Sequence, residues 1–397
     1  MSTNSNVQTE KSHTSHRANQ LSPSGIRKFF DLLASTEGVI SLGVGEPDYT
    51  TPWGIREAAI HSLEKGDTMY TSNSGMSELR QELSRYLKGS YQIDYDPSDG
   101  LLITVGVSEA LDLALRAIIN PGDEVIMPDP CYVAYDACVI LAGGIPVRVP
   151  TYEENNFELR AAAVEARVTD RTKAILFGYP ANPTGTVIGR DKLSEIAEVA
   201  RRHRLLVISD EIYAKLVYGV EATCFAVLPR MKDSTILLGG FSKAYAMTGW
   251  RIGYAAAPRE IIAAMTRIHQ YTIMCAPTMA QVAAVEALKS GESVTAEMVE
   301  DYNCRRLVIV KGLNDIGLTC FEPKGAFYAF PSIKSTGMAS EEFAETLLTE
   351  EKVAVVPGSA FGQCGEGYVR CCYATSLADI EEALSRMKRF IERHRKR

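Results

Sequence analysis

GGFSKAYAMTGWRIG, residues 239–253, places Lys243 between two apolar runs, 235–238 and 252–257, that we interpret as buried strands. Lysine is rarely buried without a partner, and burial lowers its pKa because desolvation disfavours the charged ammonium. A neutral amine can form a Schiff base with an aldehyde, and Arg251 adds a permanent cation suited to phosphate. A surface lysine on a tight turn is the more ordinary interpretation of this stretch alone, so the rest of the chain decides.

Outward from this stretch, apolar segments of strand length alternate with helical patterns. Near-continuous apolar strands separated by helices predict a parallel or mixed sheet covered on both faces. The predicted strands are 101–105, 124–127, 145–149, 173–178, 205–209, 235–238 and 251–256.

We therefore expect an α/β fold in two domains. The large domain spans residues 49–290, and a smaller α+β domain combines residues 21–48 with 291–397. A helix is predicted over Leu21–Ser35 in the smaller domain. The polar segment 1–20 is predicted to be disordered or to form an N-terminal arm.

The overall composition and net charge of the chain limit the classes of partner that the protein is expected to bind. The 397 residues carry a formal net charge of −7 with no basic block in the body of the chain, which argues against nucleic acid. No stretch of 18 apolar residues occurs, so we expect no membrane span. Nine cysteines without zinc spacing, and an N-terminus without the apolar region of a signal peptide, favour a cytoplasmic protein with free thiols and no metal.

Ligands of open α/β sheets bind beyond the carboxyl ends of the strands, so the residues that follow each strand are the candidates. Val107 and Ser108 open a helix, whose free N–H groups suit a phosphate. A tyrosine between prolines could stack on a flat ring, and a carboxylate that ends an apolar strand needs a partner. The remaining candidates are Tyr132, Asn182, Asp210, Tyr213, Ser242, Lys243 and Arg251.

Each residue alone has an ordinary explanation in capping or packing, but the set matches one ligand. Pyridoxal 5′-phosphate needs a lysine for its aldehyde, a carboxylate for its pyridine nitrogen, neutral donors for its phenolic oxygen and a cation for its phosphate. The six histidines fall after no strand end, and the sequence contains no HExxH, GxSxG or Walker motif. Metal and triad chemistry are therefore disfavoured.

The chain resembles class I aminotransferases of pyridoxal-phosphate fold type I, in the branch with archaeal aromatic aminotransferases and bacterial aspartate or N-acetyl-diaminopimelate aminotransferases. That fold has a large domain with a mixed, mostly parallel seven-stranded sheet. The resemblance covers most of residues 21–390. It rests on SLGVGEPD (41–48), ANPTG (181–185), SDEIY (209–213), FSKAYAMTGWRIGY (241–254), KGAFY (324–328), VVPGSAFG (355–362) and GYVRCCYA (367–374).

The resemblance implies a role for each matching residue. Lys243 binds the cofactor aldehyde and moves the proton, and Asp210 pairs with the pyridine nitrogen. Asn182 and Tyr213 donate to the phenolic oxygen, and Tyr132 stacks on the ring. The phosphate is held by Val107, Ser108, Ser242, Arg251 and, from the partner subunit of a homodimer, Tyr70. Arg370 binds the substrate α-carboxylate, with Gly45 and Asn182 beside the substrate.

Two positions depart from the family pattern. Gly240 stands where a serine usually binds the phosphate, so either Ser242 or a water substitutes for it or the phosphate is bound slightly more weakly. Ser108 stands where members that act on acidic substrates carry a lysine, which weakens an aspartate-specific interpretation. Aromatic or other apolar donors are favoured instead, with 2-oxoglutarate as the acceptor.

The sequence thus predicts a ping-pong aminotransferase acting on an L-amino acid and a 2-oxo acid. Aspartate or N-acetyl-diaminopimelate as donor remains open, as does a pyridoxal-phosphate lyase or decarboxylase on the same scaffold. A transcriptional regulator with an aminotransferase-like body would need an added DNA-binding domain, and about 40 residues before the Gly45 loop are too few for one.

Overall fold

The computed structural model describes residues 13–21 and 38–394. Twelve strands are described, and seven of them form the main sheet. The strands are β1 Ile40–Ser41, β2 Leu101–Thr104, β3 Glu124–Asp129, β4 Ile145–Pro150, β5 Thr172–Gly178, β6 Leu206–Asp210, β7 Thr235–Gly240, β8 Gly253–Ala256, β9 Tyr328–Ala329, β10 Val353–Ala354, β11 Val356–Pro357 and β12 Val369–Cys372.

The main sheet has the order β2-β8-β7-β6-β5-β3-β4. The pairs from β4 through β7 are parallel, whereas β8 runs antiparallel to both of its neighbours. All seven predicted strands are present, and the predicted α/β class with a mixed, mostly parallel sheet is confirmed. The structure corrects one boundary, because Arg251 and Ile252 precede β8 instead of belonging to it.

Helices cover both faces of this sheet. Their apolar sides and the strands form separate buried clusters on its two faces. The described helices are α1 His16–Gln20, α2 Trp53–Glu64, α3 Ser77–Tyr91, α4 Gly106–Ile118, α5 Ala134–Ala142, α6 Ala161–Glu165, α7 Arg190–Arg202, α8 Arg259–Thr272, α9 Thr278–Ser290, α10 Glu292–Asp315, α11 Ser340–Glu351 and α12 Leu377–His394.

The C-terminal region, residues 292–394, contains two small sheets and a core of its own. β11, β12 and β9 form an antiparallel sheet, and β10 pairs in parallel with β1. Their buried side chains pack against α10, α11 and α12. Residues 40–42 are thereby joined to the C-terminal region, which brings the loop after β1 to the carboxyl edge of the main sheet.

The predicted domain boundaries stay a prediction, and the helix predicted over Leu21–Ser35 lies outside the described residues beyond Leu21. Within segment 1–20, residues 16–20 form α1, where Arg17 donates to the backbone oxygen of Leu141 on α5. Across the described part of the chain, no helix combines the length and apolar character that crossing a bilayer requires.

Candidate active site

A cavity of about 520 Å³ opens where strands of the main sheet end and meet the C-terminal region. Its size is typical of a small-molecule site. It brings together all of the predicted site residues except Tyr70. Those residues are Gly45, Val107, Ser108, Tyr132, Asn182, Asp210, Tyr213, Ser242, Lys243, Arg251 and Arg370.

Lys243 follows β7 and projects into this cavity. Its amine donates to the backbone oxygen of Gly45 at 2.6 Å, and no carboxylate among the described residues pairs with it. Burial lowers the pKa of Lys243 to about 8, and the positive charges of Arg370 and Arg251 add to the effect. A substantial neutral fraction at neutral to mildly alkaline pH makes this amine a nucleophile.

Asp210 is the last residue of β6 and is 6% exposed. Its carboxylate accepts a hydrogen bond from the Tyr135 hydroxyl at 2.9 Å and one from the backbone N–H of Ile212 at 3.2 Å. Burial raises the pKa of Asp210 to about 6, although both hydrogen bonds and Lys243 oppose the increase. An anion held in this way suits a protonated ring nitrogen, because that partner would offset the cost of desolvation.

The amino end of α4 and Arg251 form a cationic corner of the cavity. Gly106 has a φ of 72°, a conformation that favours glycine, and a Cβ there would lie 2.6 Å from the Arg251 guanidinium. The guanidinium is exposed and donates to the backbone oxygen of Thr248 at 3.0 Å. Helix N–H groups beside an arginine suit a phosphate dianion.

Gly240, the position where the family pattern expects a serine, lies behind this corner. A Cβ on Gly240 would lie 2.9 Å from the Cγ2 atom of Val107 and 3.2 Å from the Cδ1 atom of Ile212. A serine therefore has no room without movement of neighbouring side chains. Ser242 lines the cavity, as do Ser108 and Thr248, so hydroxyl groups remain beside this corner.

Arg370 projects from β12 and is 4% exposed. One terminal nitrogen donates to Asn182 Oδ1 at 2.9 Å, and the other donates to the Gly43 carbonyl at 2.7 Å. Its Nε has no partner, and the described residues include no carboxylate that pairs with the guanidinium. A buried cation that lines the cavity without a counter-charge suits an anionic ligand.

Comparison with known proteins identifies the family. Residues 37–387 match the family model described as aminotransferase class I and II. The chain belongs to this family. It is 59% identical over 382 residues to the putative aminotransferase YugH of Bacillus subtilis, covering 96% of this chain and 99% of that relative. It is 46% identical over 381 residues to aromatic-amino-acid aminotransferase 2 of Thermococcus litoralis, covering 95% and 98%.

Solved structures agree with this assignment. The aromatic aminotransferase of Pyrococcus horikoshii superposes with a TM-score of 0.89 at 44% identity, over 93% of this chain and 99% of that chain. The aspartate aminotransferase of Thermus thermophilus with maleate gives 0.91 at 36% identity, over 96% and 100%. The protein is thus a pyridoxal-phosphate-dependent aminotransferase, as predicted.

The cavity of this aminotransferase fits its family's cofactor. The cationic corner suits the phosphate, Asp210 suits the ring nitrogen, and Lys243 suits the aldehyde. Because Arg370 occupies the amide oxygen of Asn182, the Asn182 NH₂ group is left as a donor for the phenolic oxygen. Arg370 lies in the same cavity and is left without a counter-charge among the described residues, which suits the carboxylate of a substrate.

Two aminotransferase site residues were missed by sequence reasoning. Tyr135 on α5 donates to Asp210, and its ring lies 5.6 Å from that of Tyr132, which precedes the helix. Tyr328 bonds to Tyr213 and lies over Arg370. The KGAFY motif contained Tyr328, but only the pairing of β9 with β12 reveals that it adjoins Arg370.

Proposed function

We propose that this aminotransferase transfers the amino group of an aromatic or other apolar L-amino acid to a 2-oxo acid such as 2-oxoglutarate, in a ping-pong reaction. The observation that carries the proposal is Arg370, a buried cation that lines the cavity and pairs with no carboxylate of the described residues, so that an α-carboxylate can serve as its counter-charge. Beside it, the cavity is lined largely by apolar and aromatic side chains, including Val44, Tyr132, Val133 and Tyr328. This surface favours an apolar donor side chain.

The charges of the cavity support the same preference. Its lining cations within the described residues are Lys243, Arg251 and Arg370, and the cofactor and the α-carboxylate occupy all three. A second carboxylate, as in aspartate, would have no dedicated cation from this chain. We place the second carboxylate of 2-oxoglutarate at the open mouth of the cavity, where water can solvate it.

The side chains of the site take the following roles in this proposal. Lys243 would hold the cofactor aldehyde and, as a free amine, would move a proton at the substrate Cα. Asp210 would keep the ring nitrogen protonated, and the bound cofactor would supply an electron sink. Asn182 and Tyr213 donate to the phenolic oxygen. Tyr132 packs against the ring, while Gly45 leaves space for the substrate.

A half-reaction screen tests the donor class. Each amino acid is mixed with the holoenzyme without any 2-oxo acid, and the absorbance of the cofactor is followed. We expect phenylalanine and tyrosine to convert the cofactor faster than aspartate at equal concentration. A faster reaction with aspartate would instead favour aspartate as donor, as in the related aspartate aminotransferase of Pyrococcus abyssi.

The same experiment separates transamination from lyase or decarboxylase chemistry. Without an acceptor, a transaminase converts one donor per site and stops, whereas a lyase continues. Lys243→Ala should abolish turnover, and retained turnover would contradict the proposed role of Lys243.

Ser108→Lys supplies a matched gain-of-function test of the donor class. A cation at the cavity wall should raise kcat/KM for aspartate relative to phenylalanine.

We also propose a homodimer in which Tyr70 reaches the partner's site. Tyr70 and Met69 are each 80% exposed, and Tyr271 is 88% exposed. Tyr271 lies at the end of α8. The loop with Met69 and Tyr70 is held to the chain that follows α8, because Thr278 donates to the Met69 carbonyl at 2.7 Å and Asn73 donates to that of Met274 at 2.9 Å. Large apolar side chains held outward in one patch favour an interface.

Subunit complementation tests this assembly. Tyr70→Ala and Lys243→Ala should each be impaired alone, yet a refolded equimolar mixture should regain about a quarter of wild-type activity, since half the dimers carry one intact site. No recovery of activity, or a molecular mass that corresponds to a monomer, would contradict the shared site.

The free thiols of the described cysteines support a cytoplasmic location.

A further inference from the structure

Tyr328 lies between the cofactor half and the carboxylate half of the cavity. Its side chain is 1% exposed and lines the cavity wall. Its hydroxyl is 2.7 Å from the hydroxyl of Tyr213, and its ring centroid lies 4.4 Å from the guanidinium carbon of Arg370. One side chain therefore contacts a residue assigned to each half.

Proton counting fixes the direction of the bond between the two tyrosines. Burial raises the pKa of both Tyr213 and Tyr328, so each hydroxyl keeps its single proton. When Tyr213 donates to the phenolic oxygen of the cofactor, its own oxygen can only accept. Tyr328 is then the donor of the 2.7 Å bond.

The surroundings of Tyr328 leave it few other partners. The other titratable or charged groups that face it are Arg370, Cys372 and Tyr132, none of which is a carboxylate that would take its proton. On the loop side, a Cβ on Gly45 would lie 2.6 Å from the Tyr328 hydroxyl. The hydroxyl thus packs directly against the backbone that accepts from Lys243.

The ring of Tyr328 acts on a different neighbour. Arg370 lies between the faces of Tyr328 and Phe361, at 4.4 Å and 5.0 Å from their centroids. Aromatic faces attract a guanidinium and restrict its tilt. Since no carboxylate of residues 13–21 and 38–394 pairs with Arg370, these rings and its two hydrogen bonds set its orientation.

We propose that Tyr328 is a positioning residue with two separable functions. Its hydroxyl orients Tyr213 as the donor to the phenolic oxygen of the bound cofactor. Its ring holds the Arg370 guanidinium in the plane that receives the substrate carboxylate. The inference rests on the roles proposed above for Tyr213 and Arg370, and it links cofactor electronics to substrate binding through one side chain.

Tyr328→Phe tests the hydroxyl, with an absorbance titration of the cofactor bound to Lys243 as the measurement. The phenolic oxygen can accept either from a hydrogen-bond donor of the protein or from the proton on the nitrogen contributed by Lys243, so the two compete for this oxygen. Weakening that donor lets the oxygen hold the proton more tightly, so the apparent pKa should rise by roughly half to one unit. Tyr213→Phe should shift the pKa in the same direction, and the double variant should add little further.

Tyr373→Phe is the matched control for this titration. Tyr373 is a fully buried neighbour in the C-terminal region whose hydroxyl donates to the Ala326 carbonyl at 3.2 Å, and it does not line the cavity. Removing the Tyr373 hydroxyl should lower the thermal midpoint as much as removing the Tyr328 hydroxyl. It should leave the pKa from the cofactor absorbance titration unchanged.

Tyr328→Leu compared with Tyr328→Phe tests the ring. The probe is 3-phenylpropionate, an unreactive carboxylate whose Kd is measured from its perturbation of the cofactor spectrum. Phenylalanine keeps the ring and should bind the probe within twofold of wild type, whereas leucine should weaken binding about fivefold. In turnover, Tyr328→Phe should lower kcat with KM nearly unchanged, and Tyr328→Leu should also raise KM.

The outcomes distinguish this inference from the function on which it rests. A normal absorbance pKa in Tyr328→Phe, alongside a shifted pKa in Tyr213→Phe, overturns the role of the hydroxyl. An unshifted pKa in Tyr213→Phe removes the proposed role of Tyr213 and this part of the inference with it. Equal loss of 3-phenylpropionate binding in both Tyr328 variants overturns the separation of ring from hydroxyl.

Discussion

Two buried arginines in the C-terminal region show how differently the same side chain can be used. Arg306 on α10 is 5% exposed and Arg370 on β12 is 4% exposed. Arg306 donates to the Glu322 carboxylate at 2.6 Å and to Asn303 at 2.8 Å, so its charge is neutralised within the chain. Arg370 has only neutral acceptors and a free Nε.

The difference separates structure from function. A buried charge that is paired within the chain contributes to the architecture, whereas one without a counter-charge costs stability unless a ligand supplies it. Both arginines also lie against aromatic rings, Arg306 over Tyr218 and Arg370 over Tyr328, so ring contact does not distinguish them. The missing carboxylate is the functional signal.

Removing the guanidinium of Arg370 should reduce activity far more than removing that of Arg306. Arg370→Met is expected to lower kcat/KM by about a hundred- to a thousandfold, because the substrate carboxylate loses its cation in a desolvated site. Arg306→Met, measured per folded molecule in the same steady-state assay, should stay within a few-fold of wild type. Comparable losses in both variants would break the comparison.

Stability should follow the opposite order. Arg306→Met is expected to lower the free energy of unfolding by about 2 kcal/mol, since Asn303 loses its donor and Glu322 keeps only Lys324. Glu322 is half-exposed and regains water, which limits the loss. Arg370→Met should leave stability unchanged or raise it, because an unpaired charge is removed from the interior. Denaturant unfolding of both variants measures whether the free energy of unfolding falls in Arg306→Met and stays unchanged or rises in Arg370→Met.

A bound carboxylate should stabilise the protein through Arg370 alone. At ten times its Kd, 3-phenylpropionate is expected to stabilise the wild-type holoenzyme by about 1.4 kcal/mol. Arg306→Met should show the same increase in thermal midpoint relative to its own ligand-free sample, and Arg370→Met should show none. An increase in Arg370→Met would mean that the anion binds elsewhere.

Lys243 extends the comparison to a third cation with only a neutral acceptor. Its pKa is lowered from 10.5 to about 8, first by burial, so the folded apoprotein disfavours the charged amine. Lys243→Met should therefore stabilise the apoprotein, by about 1 kcal/mol after allowance for water in the open cavity. The gain should be complete below pH 8 and vanish as the pH rises to 10.5, where the unfolded chain is also neutral.

Denaturant unfolding of the wild-type and Lys243→Met apoproteins at pH 7 and pH 10.5 tests whether the variant is more stable at the lower pH alone. The difference between the two proteins isolates Lys243 together with Asp210 and Cys372, whose pKa values its charge lowers. A gain that is constant with pH would show that lost charge is not its cause.

Much of the main sheet could be predicted from the sequence because its buried strands are continuous apolar runs, as in Leu101–Thr104 and Leu206–Asp210. The strand-end residues followed, because parallel strands end at one edge. Relations across the chain could not be predicted this way. The Tyr135–Asp210 bond spans 75 positions and the Tyr213–Tyr328 bond spans 115, and no local pattern encodes such pairings.

The contact between Gly240 and Val107 has a consequence for the order in which this site can change. A serine at position 240 would need space that the Val107 side chain occupies. A chain that first shortens residue 107 removes the nearest contact before the serine arrives, whereas one that takes the serine first must shift the Cγ2 atom of Val107 and the Cδ1 atom of Ile212. The route that begins at position 107 therefore requires the smaller rearrangement at the phosphate corner.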